Sequence, residues 1–248
     1  MGSPRRHSTS RSLGGKAVDR VTASIQDSAG TNNADFSTPP DGQSGHMRRY
    51  LFTSSNPNRD GALENDVPAH ENTQTAWVET AGGMGESWSD AMADWTEKTS
   101  AAVPDDVMGQ YIINSPAGIR THPYSTSSTV NPLTYASVGT LNKVHNIGEV
   151  WANLLHNVYA ALIGQWGWSP DSRTNPDGTV GNIVYMRLFI DSLPLQPCNP
   201  NFLTACNAWL QADVNRYNGT NRCLLWKTFA SKGLGVNAAN NADIPSDC

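Results

Sequence analysis

Between residues 145 and 163, Ile147, Val150, Trp151, Leu154, Val158 and Leu162 recur three and four positions apart. On an α-helix that spacing gathers them into one apolar stripe, so this stretch must lie with one face against a core. A second helix is expected over 84–97, where Glu86, Asp90 and Glu97 line one side and Trp88, Ala91, Met92 and Trp95 the other. The largely apolar segment 183–190 would be ended by Pro194. Asn199-Pro200 reads as a cap and first-turn proline opening a helix that carries Phe202, Trp209 and Leu210. A last helix is expected from about Asn221 to Gly233 or Gly235. Strand signals are confined to the front of the chain. Residues 21–26 alternate Val21, Ala23 and Ile25 with polar residues, 49–53 is a second short candidate, and the Gly, Asn, Pro and Asp of 28–44 spell a long surface loop. The expected fold class is α+β, mainly α. Residues 1–17 are expected to be disordered, 18–62 to form a partial β-rich segment, and 63–248 a mainly helical lobe.

The chain's 248 residues allow one large domain or two small ones. Hydrophobic content of 38% and charged content of 16% suit a soluble globular protein, and a formal charge of −5 argues against a nucleic-acid partner. The apolar runs are all shorter than the roughly 20 residues that span a bilayer, so no membrane partner is expected. The polar first fifteen residues lack the apolar core of a signal peptide. Yet Cys198, Cys206, Cys223 and Cys248 show no CxxC spacing, which favours disulfides, with three pairings open. Asn218-Gly219-Thr220 is a glycosylation acceptor pattern. Cysteines and acceptor together suggest a secreted product, and the missing leader then reads as the mark of a fragment.

The chemistry is concentrated in Ala69-His70-Glu71-Asn72-Thr73-Gln74 and in Gly83-Met84-Gly85-Glu86-Ser87-Trp88-Ser89-Asp90. Residues four apart share a helix face, so His70 and residue 74 could grip one ion, with Glu71 beside it as general base for a water. His-Glu-x-x-His is the zinc-peptidase form of this pattern; here its last position is Gln74. Glu86 and Asp90 are spaced i, i+4. Glu86 could bind the same metal, while Asp90 could take the N–H of a ligating histidine and fix its tautomer.

These residues, with Asp27-Ser28-Ala29-Gly30-Thr31-Asn32-Asn33, Asn131-Pro132-Leu133-Thr134-Tyr135, the run from His145 to Asn153, and Leu195-Gln196-Pro197-Cys198-Asn199-Pro200, resemble the fungalysin family of secreted fungal metalloendopeptidases. The resemblance implies Zn²⁺ as cofactor, protein or peptide substrates and an extracellular location. It implies His70 and Glu86 as metal ligands, Gln74 at the place of the family's second histidine, Glu71 as general base, and Asp90 behind the ligands. It further implies that His145 steadies the oxyanion and that Arg120 helps hold the cleft. The edge strand that such sites offer to a substrate backbone is sought in 49–53. Gln74 and the short connection after it leave two outcomes open: an active peptidase, or an impaired homologue or incomplete gene product that keeps the scaffold.

Overall fold

The computed structural model describes residues 20–40, 42–74, 82–236 and 243–248. The segment 1–17, expected to be disordered, lies outside the described residues. Five short strands come first: β1 Thr22–Ser24, β2 Ala34–Ser37, β3 His46–Arg49, β4 Leu51–Phe52 and β5 Arg59–Asp60. β3 lies between β1, parallel to it, and β2, antiparallel to it, with Phe36 opposite Met47. β4 and β5 pair antiparallel in a second, two-stranded sheet.

Two expectations are corrected here. The supposed loop 28–44 contains β2, because Ala34 is buried and Phe36 has a partner strand to pack along. Such tertiary pairing overrides the local Gly, Asn and Pro signals. Nor is 49–53 one strand offering a free edge. The chain leaves β3 at Tyr50, and Leu51 is bridged to Thr31 on one side and to Asp60 on the other.

Helices make up the rest: α1 Asp66–Gln74, α2 Gly82–Glu97, the single turn α3 Gln110–Ile113, α4 Val144–Trp166, α5 Gly181–Ser192, α6 Phe202–Tyr217 and α7 Arg222–Ser231. The fold is α+β and mainly α. Pro68 falls in the first turn of α1, where a missing N–H leaves no helical bond unmade. α6 starts two residues later than the sequence suggests. Asn201 is its cap, accepting the Thr204 N–H at 3.0 Å while the Thr204 hydroxyl accepts the Asn201 N–H at 2.9 Å, so Pro200 stays outside. α7 ends at Ser231, and Gly233 (φ +87°) turns the chain away. Cys223 and Cys248 form a disulfide, whereas Cys198 is exposed and Cys206 buried, both as free thiols.

One core fills the space between α2, α4, α5, α6 and α7. Trp88 of α2 is its centre, fully buried with ring centroids 4.9 Å from Phe189, 5.7 Å from Trp151 and 6.5 Å from Trp209. The acidic side of α2 is solvated only at its end, where Glu97 is exposed. Asp90 and Asp94 are buried, and Asp94 meets His156 Nδ1 at 3.0 Å and the ammonium of Lys98. Through Trp88 and Asp94 α2 is thus held on two faces, one apolar and one ionic.

Two outcomes follow from burial. Trp88→Ala removes the central ring and should cost about 3–5 kcal/mol in urea unfolding. Asp66, also buried, accepts the Gly109 N–H at 3.1 Å, yet burial still lifts its pKa to about 7. The folded chain therefore keeps a proton that the unfolded chain releases near the ordinary carboxylate value, and stability falls as pH rises from about 4 to about 7. Asp66→Asn should match the native chain at pH 3 and exceed it by up to about 4 kcal/mol at pH 8, the free energy of holding that proton across a gap of about three pH units. Equal urea midpoint differences at both pH values would refute the assignment.

Candidate metal centre

The site begins with two glycines. A Cβ on Gly148 of α4 would sit 3.0 Å from the Gly83 carbonyl oxygen and 3.2 Å from the Ser87 nitrogen of α2. A Cβ on Gly83 would meet Ile147 at 2.9 Å and the Val144 carbonyl at 3.1 Å. Without side chains at these two positions, the N-terminal ends of α2 and α4 touch backbone to backbone. That contact sets Glu86 of α2 beside His145 of α4, with Glu86 Oε2 2.8 Å from His145 Nδ1.

α1 packs across the other side of α2 and brings His70 to the same carboxylate. His70 Nε2 is 3.2 Å from Glu86 Oε2, and its Nδ1 donates to Asp90 Oδ1 at 2.7 Å. Burial alone would push the His70 imidazolium towards deprotonation. The hydrogen bonds to Asp90 and Glu86 overcome this and raise its pKa to about 9. Burial likewise works against the Glu86 carboxylate, but His145 and His70 pull its pKa down to about 2. Glu71, next to His70 on α1, is buried and lifted above the ordinary carboxylate range by desolvation. His145 differs from these, its side chain being 54% exposed.

Asp90 is the best-connected group in the site. Besides His70 it accepts Arg120 Nε–H at Oδ2 and Arg120 Nη2–H at Oδ1, both at 2.8 Å, and the Tyr124 hydroxyl at Oδ2. Burial opposes its charge; Arg120 and His70 hold its pKa well below the usual range. The structure thus brings His70, Glu71, Glu86, Asp90, His145 and Arg120 into one neighbourhood. The side chain of Gln74, which the sequence places at a ligand position, lies outside the described residues. Among the described residues no group of three or more His, Cys, Asp and Glu side chains forms a cage for a metal ion.

Sequence reasoning passes over Tyr124, and with it Glu149, Asn153 and Asn157. The last three follow one another at four-residue intervals on α4. That polar edge beside an apolar stripe is the available signal.

Comparison with known proteins places the chain among the metallopeptidases. It belongs to the fungalysin family: the family model described as Fungalysin metallopeptidase (M36) matches residues 7–238. It is 44% identical over 247 residues to the extracellular metalloproteinase MEP of Neosartorya fischeri, covering 91% of this chain and 38% of that protein. It is 43% identical over 245 residues to the extracellular metalloproteinase MEP of Pyricularia oryzae, covering 91% of this chain and 39% of that protein. It is 40% identical over 260 residues to a probable extracellular metalloproteinase 2 of Arthroderma benhamiae, covering 95% of this chain and 41% of that protein. The chain spans about two fifths of the length of these curated relatives.

The glycine contact makes a prediction of its own. Gly148→Ala forces a methyl group against backbone atoms that cannot rotate away, and overpacking of this kind costs about 1–3 kcal/mol. The same change at Gly164, whose Cβ would meet nothing within 4 Å, should leave the urea midpoint unchanged or raised. A Gly148→Ala chain as stable as the native one would disprove the tight crossing.

Proposed function

We propose that this chain carries the helical part of a zinc-dependent metalloendopeptidase centre. The observation that carries the reading is the pairing of His70 Nε2 with Glu86 Oε2, while Asp90 takes the other nitrogen of the same ring. Imidazole and carboxylate suit Zn²⁺, and a carboxylate behind a ligating histidine is the usual means of fixing its tautomer. The donors fit a dication on charge as well: Glu86 and Asp90 are both held ionised, and protons on His70 now supply the balancing charge. His70 and Glu86 would hold the ion, with residue 74 the place for a further ligand.

Zn²⁺ in that position supplies Lewis acidity to a water and to the scissile carbonyl. The remaining steps fall to the chain itself. Glu71 accepts the water's proton, its basicity raised by burial, and passes it to the leaving nitrogen. His145, exposed beside Glu86, donates a hydrogen bond to the developing oxyanion. Asp90 keeps the His70 ring aimed. Proteins or peptides are the substrates on this reading, and the names of the relatives support an extracellular setting. There Asn218, exposed at the C-terminal end of α6, is the acceptor for an N-linked glycan, which Asn218→Gln would remove as a glycosidase-sensitive mass difference.

Gln74 supports a second reading, a homologue that keeps the scaffold without the ion, because an amide oxygen is a poor zinc ligand beside imidazole. Elemental analysis of the metal-replenished chain separates the two. The first reading expects about one zinc per chain and casein hydrolysis abolished by Glu71→Gln with the metal retained. Gln74→His should tighten zinc by about tenfold or more on that reading. A chain without zinc in both forms would sink it.

A further inference from the structure

Behind the metal ligands lies a layer that the proposed chemistry does not use. A carboxylate offers about four lone-pair directions. Asp90 has donors on all of them: His70 Nδ1–H and Arg120 Nη2–H at Oδ1, Arg120 Nε–H and the Tyr124 hydroxyl at Oδ2. Arg120 and Tyr124 belong to the strap 120–125, which lies outside the helices and strands and carries one isolated antiparallel bridge, Asp106–Tyr124.

What seats the strap is the polar edge of α4. Glu149 accepts the Thr121 N–H at 3.1 Å through Oε1 and the Thr121 hydroxyl through Oε2. One turn on, Asn153 Oδ1 accepts the Ser125 N–H at 2.8 Å. A further turn on, Asn157 Nδ2 donates to the Ser125 carbonyl at 3.0 Å. Three rungs, each four residues after the last, fix the strap from Thr121 to Ser125. Between the outer rungs stands Tyr124, its backbone paired with Asp106 at 2.8 and 2.9 Å and its ring 1% exposed.

We propose that Tyr124 is a positioning residue for the metal site: its phenol holds Asp90, which aims His70, and the Glu149–Asn153–Asn157 ladder sets Tyr124 in place. The inference rests on reading His70 as a metal ligand. Arg120 alone fixes the plane of the Asp90 carboxylate through two parallel bonds, but that planar pair can still tilt as one body. Tyr124 bonds the oxygen opposite the one His70 uses, and so opposes that tilt. The phenol is buried and gives its proton to Asp90, so leaving it unbonded would be costly. Ligand orientation is where metal affinity is most sensitive to outer residues, with losses of about 10–100-fold when such partners are removed.

The test uses the full chain with Tyr124→Phe, which keeps the ring and removes only the hydroxyl. Tyr185→Phe, a buried phenol in the core next to Trp209, serves as the structural control. In the metal-free chain, the His70 Nδ1–H is followed by proton NMR; Tyr124→Phe should speed its exchange with water by about tenfold or more, and Tyr185→Phe should not. In parallel, Co²⁺ is titrated into the native and Gln74→His chains, where Tyr124→Phe should weaken binding by about tenfold. Asn153→Ala should act in the same direction in both measurements. If neither the native nor the Gln74→His chain takes up cobalt, the metal reading fails while the exchange measurement still decides whether Tyr124 holds His70. Exchange unchanged in Tyr124→Phe overturns the proposal, as does a loss shared equally by Tyr185→Phe.

Discussion

An ionised carboxylate with no solvent exposure sits where α1, α2 and the 120–125 strap meet. Water cannot solvate Asp90, and an unpaired charge at that depth would cost several kcal/mol. The protein meets this with an imidazole from α1 and with a guanidinium and a phenol from the strap. The three donors therefore have to arrive together, and each one's position fixes the others. His70 is oriented by the same bond that keeps Asp90 satisfied, so the geometry of the candidate site and the stability of its surroundings are one constraint. The core behind α2 depends on it too, because the helix that presents Asp90 on one face presents Trp88 on another.

The close crossing of α2 and α4 supplies the second fixed relation. Gly83 and Gly148 are of interest only because backbone atoms occupy the space where side chains would stand. The contact leaves no slack in how far Glu86 stands from His145, and α4 is long enough to serve two tasks at once. Its N-terminal turn faces the site, while its polar edge, from Glu149 to Asn157, seats the strap that returns to Asp90. Its apolar stripe anchors all of this to the core.

How much of this was legible in the sequence follows from the range of the interactions involved. The long helices announce themselves because periodicity is local, and α2 and α4 lie close to where their apolar stripes put them. His70, Glu71, Glu86 and Asp90 were visible because a known motif and an i, i+4 pair are local as well. The misreadings have two sources. β2 exists through its pairing with β3, a contact between separate segments, whereas the start of α6 is a local choice between two asparagines decided by the reciprocal bonds of Asn201 and Thr204. Tyr124 lies in a segment without periodicity, 34 positions from its partner, and nothing near it in the chain points to Asp90.

The charges in the site also bear on how it would take up a cation. Glu86 lies between His70 and His145, and Asp90 is paired with Arg120, before any cation is considered. Both carboxylates are therefore partnered within the protein itself. On the proposed reading a cation entering the site would have to displace protons from His70, so its binding would compete with a stable arrangement. On the proposed reading, metal affinity is then set separately from the ion pairs that hold α1, α2 and the strap together.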